Sequence, residues 1–150
     1  MNPSQIERLL IEYSNIPERK KELEIKTREA QLLIQNAEDT LRVPSYDGLP
    51  HGNLLQDAVY KAVQKILDEY QIHLDYYQGQ LKLLNEKERA VYEALKCLEP
   101  HEYKIIELRY IRGYMWKTVS IKVNYHRVQC IRIRDKAIEK IKQSYRDESN

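Results

Sequence analysis

The stretch Leu98–Ile141, LEPHEYKIIELRYIRGYMWKTVSIKVNYHRVQCIRIRDKAIEKI, decides how this chain reads. Its apolar spacing, single glycine and positive charge are those of a helix-turn-helix suited to lie on nucleic acid. Tyr103, Ile106, Tyr110 and Ile111 recur at three-to-four spacing ahead of Gly113. Glycine is the usual left-handed helix stop, so a helix should end near Arg112. Met115 to Val123 then places Trp116, Val119 and Val123 on one stripe, followed by Asn124, a residue that tolerates the positive φ a sharp turn demands. From His126 onward, Cys130, Ile133, Ala137 and Ile141 form a second stripe. That leaves Arg127, Val128, Ile131 and Arg132 pointing the other way, where a recognition helix meets base edges in the major groove.

Charge follows the same division. Between Arg112 and Lys142 nine Lys and Arg face two acids, Asp135 and Glu139, a net +7, whereas residues 1–98 hold thirteen basic and sixteen acidic residues, a net −3. A whole-chain charge of +2 therefore hides a polarised molecule whose C-terminal end alone carries the footprint of a phosphate-binding surface. Solvated helix faces usually interleave signs. Here Lys117, Lys122, Arg127, Arg132 and Arg134 follow one another without an acid among them. Lys117, Lys122, His126, Arg134 and Lys136 are the candidate phosphate contacts, and Arg127, Val128, Ile131 and Arg132 the candidate base readers.

These residues carry a resemblance. Helix, glycine-containing turn and WKTVSIKVNYHRVQCIRIRDKAIEKI resemble region 4 of bacterial primary sigma factors, and more closely small phage-encoded regulators of the ArpU and RinA type. The matching positions are Arg109-Tyr110-Ile111, Gly113, Trp116, Val119-Ser120, Val123-Asn124-Tyr125, Arg132 or Arg134, and Ala137-Ile138. The likeness spans about a third of the chain. It implies promoter-type reading at Arg127, Val128, Ile131 and Arg132. Sigma factors carry Glu where this chain has Val128 and Arg where it has Ile131. Losing that carboxylate removes an acceptor for cytosine N4, and losing that Arg removes a bidentate guanine reader, so the resemblance implies DNA binding at a different target. Val128 and Ile131 suit thymine methyls instead.

The remainder reads as a helical arm. Hydrophobic residues make up 42% and charged residues 32% of 150 positions, with only four glycines, which favours long helices and leaves strands without a place. Pro17, after Ser14 and Asn15, is expected to start a helix, because the first turn has no use for the missing donor. Leu23, Thr27, Ala30, Ile34, Ala37 and Leu41 then keep a heptad seam, and Ile6, Leu10 and Tyr13 make a shorter companion. Residues 42–53, with two prolines, two glycines and Asp47-Gly48, form the expected loop. Beyond it Leu67, Tyr70, Leu74, Tyr77, Leu81, Leu84, Glu88, Val91, Leu95 and Leu98 keep heptad spacing. Gly79, inside that run, suggests either a close approach or a tolerated surface glycine. The expected architecture is all-α: residues 1–98 a long antiparallel hairpin, residues 99–150 a helix-turn-helix resembling sigma region 4. Two-helix hairpins bury little, so the arm should associate, with a dimer favoured.

Other chemistries find no pattern. The four histidines are scattered, and no metalloprotease, nucleophile-elbow or phosphate-loop spacing occurs, so an enzyme, a metal or another cofactor is not expected. Cys97 and Cys130 read as small apolar residues, and Cys97 with His101 lacks further zinc ligands. Twelve tyrosines and no phenylalanine suit seams near water, with Tyr70, Tyr77, Tyr92 and Tyr110 the candidates. No apolar run reaches eighteen residues and no leader pattern opens the chain, so membrane insertion is not expected and the cytoplasm is. The expected function is sequence-specific double-stranded DNA binding by a phage-type transcription regulator. Two alternatives are a small terminase-type DNA packaging subunit and a sigma-like module that binds RNA polymerase.

Overall fold

A computed structural model describes residues 1–42 and 53–149, with side chains from residue 56 onward in the second segment. Its elements are α1 (Pro3–Arg42), α2 (Asn53–Leu95), α3 (Pro100–Ile106) running into a π-helical turn (Glu107–Ile111), α4 (Trp116–Val123) and α5 (Arg127–Glu148). No strand occurs among the described residues. None of their helices is long and apolar enough to cross a membrane. The loop expected at 42–53, Asp47 included, falls outside the described residues apart from its two ends.

The chain divides into two compact units, Met1–Glu18 with Leu84–Asn150, and Arg19–Leu83. This differs from a division at residue 98, and apolar burial gives the reason. Ile6 and Leu10 are fully buried in one cluster with Val91, Ala94, Leu95, Ile106, Tyr110, Ala137, Ile138 and Ile141, so both ends of the arm sequence belong to the helix-turn-helix unit. Each such aliphatic side chain contributes about 1.5–3 kcal/mol when withdrawn from water.

Pro17 does not start a helix; it lies inside α1. It is tolerated because it faces water while Ile16 beside it is buried. The missing N–H leaves the Tyr13 carbonyl without its helical donor. In the turn before it, Ser14 Oγ and Asn15 Nδ2 donate to the Ile11 carbonyl at 2.6 and 3.2 Å. The true start is Asn2, whose side chain accepts from Gln5 N at 2.9 Å while Gln5 Oε1 accepts from Asn2 N at 2.8 Å. That is a reciprocal cap, and it makes the short companion helix part of α1.

In the unit Arg19–Leu83 the heptad positions behave as the sequence implies. Ala30 and Leu74 are buried, while Leu23, Thr27, Ile34, Ala37, Leu41, Leu67, Tyr70, Tyr77 and Leu81 are half-buried. Gly79 is exposed and a Cβ there would meet nothing within 4 Å, so it is a surface glycine rather than a close helix approach.

In the other unit, the π turn settles how one short segment serves two cores. Arg112 N donates to the Glu107 carbonyl at 2.8 Å across five residues, and the extra residue rotates the side chains that precede and follow it. Ile105 and Leu108 enter a cluster with Val119 and Cys130, whereas Ile106 and Tyr110 enter the larger one. Tyr103, expected on the stripe, is 40% exposed. Gly113 has φ +73° and Asn124 φ +58°, the two left-handed positions that the turn chemistry implies.

Gly79→Ala should raise stability by about 1 kcal/mol, read as a shift in the urea midpoint with unchanged slope, because the site is a solvent-facing helix interior with room for a methyl.

Candidate nucleic-acid interface

Two turns of α5 project from a scaffold built by everything around them. Cys130 and Ile133 anchor the start of α5 to Val119, Val123, Trp116 and Tyr125. Ala137, Ile138, Ile141 and Tyr145 anchor the rest to α1 and α2. The turn is braced from within: Ser120 Oγ donates a short hydrogen bond to the Tyr125 carbonyl.

Two guanidinium groups lie over the Trp116 ring, Arg109 at 5.2 Å and Arg134 at 5.4 Å from its centroid. Arg109 Nη1 also donates to the Tyr114 carbonyl at 3.0 Å. Arg134 is engaged further: its Nη1 donates to Glu7 Oε1 at 3.0 Å and to Tyr110 Oη at 3.3 Å, and its Nε to Asp135 Oδ1 at 2.7 Å. Tyr110 Oη in turn donates to Glu7 Oε1 at 2.7 Å. Burial foremost pushes the Tyr110 phenol up to about 12, so it remains a donor at any working pH. Arg134 is therefore withdrawn from the candidate phosphate contacts. Its side chain is only 21% exposed and serves as an internal tie.

The other candidates remain outside. Arg127, Arg132, Lys117, Lys122, His126 and Lys136 are exposed. Val128 is 61% exposed, and Ile131 is half-buried, less free than its helical position implies. Among the described residues no carboxylate lies within ion-pair distance of Lys117, Arg127, Arg132 or Lys136. Lys122 Nζ sits 5.1 Å from the Tyr114 ring centroid, which steadies its stem and leaves its charge in water. His126 stands at the N-cap with extended backbone, but its ring makes no capping bond. Down the helix, Asp135 is paired to Arg134 and Glu139 lies 3.6 Å from Lys142. Those acids share the outward arc with Val128 and Arg132, so the purely cationic part of that face is confined to the first turns of α5.

A furrow of about 440 Å³ runs along this face, lined by His126, Val128, Gln129, Arg132, Ile133 and Lys136. Gln129 was not singled out from sequence. Its place three residues before Arg132 and three after His126 is the signal that finds it. Glu7 carried no such signal, being 127 residues from its partner.

Glu99, His101 and Glu102 bring their ligand atoms within 4.8 Å of one another. An internal cation already answers them: Lys140 Nζ donates to Glu102 Oε2 at 2.9 Å, and that oxygen also accepts from Glu99 N at 3.0 Å. Burial alone would raise the Glu102 pKa, yet these bonds outweigh it and hold the carboxyl below its usual value. Cys97, read as an apolar residue, is exposed and its thiol donates to the Ala94 carbonyl at 2.8 Å. Tyr92, placed near a seam from its spacing, is 54% exposed under Lys96.

Because Glu102 titrates lower folded than unfolded, its contribution to stability is present at neutral pH and is lost as pH falls through its folded value. Glu102→Gln should cost about 1–2 kcal/mol in urea unfolding at neutral pH, with the gap to the parent chain closing in acid. A pH-independent difference would point to packing instead.

Comparison with curated proteins and with solved structures gives no match. The profile of a family described as Protein of unknown function (DUF722) matches residues 3–143, and the chain belongs to that family.

Proposed function

We propose that this chain is a sequence-specific double-stranded DNA-binding regulator of transcription, of phage or prophage type, with a head resembling sigma region 4 and an arm that joins copies. One observation carries the reading. Arg127, Val128 and Arg132 stand exposed on the opening turns of α5, with no carboxylate partner among the described residues, on a helix seated by a left-handed Asn124 turn. In this mechanism Arg127 and Arg132 donate to guanine edges, Gln129 suits adenine, and Val128 packs on a thymine methyl. Lys117, Lys122, His126 and Lys136 neutralise phosphates and set the register. Asp135 and Glu139 keep the backbone of the duplex away from the later turns.

A second reading has its own support. Met115 and Ile121, 75% and 68% exposed, are apolar side chains on the head, which suits contact with a protein such as RNA polymerase. Packaging, the third expected role, requires rings of many copies.

With about four phosphates contacted, log affinity should fall against log salt with a slope of roughly −4. Arg132→Ala should cost about 1–3 kcal/mol on a selected duplex and relax one base position, whereas Lys117→Ala should weaken all duplexes alike and flatten the slope by about one. Titrations of both variants against selected and scrambled duplexes decide this. Equal losses on both duplexes for Arg132→Ala would remove base reading, and salt-independent binding would favour the protein-contact role.

A further inference from the structure

The hairpin of Arg19–Leu83 has one polar flank and one apolar flank, and the difference lies in α2. On the polar flank Gln31 and Glu38 of α1 and Gln71 of α2 line one groove, and the positions one heptad away, Glu24, Gln64 and Gln78, are polar as well. The other flank is marked by Lys26, 5.9 Å from the Tyr77 ring centroid, and by His73, stacked on the same ring at 6.3 Å. There α2 carries Val59, Ile66, His73 and Gln80 at one heptad position and Ala62, Glu69, Tyr76 and Leu83 at another. These form a second seam, displaced by one residue from the Leu67, Tyr70, Leu74, Tyr77 seam that α1 covers. Val59, Ile66, Tyr76 and Leu83 are 55%, 43%, 61% and 52% exposed. A helix with two adjacent seven-residue repeats is built for a second helical neighbour.

We infer that this second seam is a homodimer interface in which α2 of one copy packs antiparallel on α2 of another, across a two-fold axis that passes between Glu69 and His73 at the height of position 71. The seam is self-complementary under that operation. Residues equidistant from Gln71 meet: Val59 with Leu83, Ala62 with Gln80, Ile66 with Tyr76, and Glu69 with His73 of the second copy. Apolar partners face apolar partners at both ends, and an acid faces an imidazole in the middle. Parallel in-register pairing would set Glu69 against its own copy, a like-charge contact. The two-fold choice is an isologous contact that closes at two chains. The seam extends about 36 Å, ample for a two-helix contact of several turns.

The inference deepens the oligomer part of the proposed function, and its test uses no DNA, so its failure leaves base reading by α5 standing. Sedimentation equilibrium of the full chain should show twice the 18.0 kDa of one copy. Ile66→Glu should weaken association at least about tenfold, with helicity by circular dichroism unchanged because the residue is exposed. Adding Tyr76→Lys to Ile66→Glu sets carboxylate against ammonium twice in the antiparallel pairing, and association should recover. A monomeric parent chain, a ring of many copies, an Ile66→Glu variant that still pairs, or a double variant that does not recover would each overturn the interface.

Discussion

One guanidinium holds the head together. Arg134 of α5 reaches Glu7 near the start of α1, Tyr110 in the π turn and the face of Trp116 at the start of α4, so a single side chain ties four elements of one unit. A guanidinium largely withdrawn from water needs its donors satisfied, and here the Glu7 and Asp135 carboxylates and the Tyr110 phenol accept from it above the face of Trp116. The arrangement also explains why the first eighteen residues belong to this unit. Ile6 and Leu10 supply the apolar contact, and Glu7 between them supplies the charge.

The same tie divides α5 into two functions along its length. Cys130, Ile133, Arg134, Ala137, Ile138 and Ile141 face inward and are fixed by packing. Arg132, Asp135, Lys136 and Glu139, which lie between them, face water. The first acids of the helix, Asp135 and Glu139, come only after its opening two turns and are paired to Arg134 and Lys142. Unpaired positive charge is thereby concentrated on the opening turns of α5, although the chain as a whole is nearly neutral.

Local chemistry was legible in the sequence, and long-range chemistry was not. The stops at Gly113 and Asn124 and the stripe Cys130, Ile133, Ala137, Ile141 follow from periodicity and backbone conformation, which depend on neighbours a few residues away. The heptad positions Ala30, Leu74, Leu84, Val91 and Leu95 are buried for the same reason. Pro17 misled because propensity was read without the seam running past it on the opposite side. The π turn has no composition of its own, so the dual burial of Ile105 with Leu108 and Ile106 with Tyr110 escaped a regular 3.6-residue count. Nothing in the sequence around Arg134 marks it as an internal tie, because its partner Glu7 lies near the other end of the chain. Among the candidate readers, Gln129 could have been found by helical arithmetic alone.

Separating the inward and outward faces of α5 has a consequence for how such a protein changes over generations. Arg127, Val128, Gln129 and Arg132 support no part of the core. Substitutions there alter the exposed surface at little thermodynamic penalty while the scaffold beneath stays constant. The surface character of this rod and its foldability are encoded by disjoint sets of residues, and selection can act on one without passing through the other.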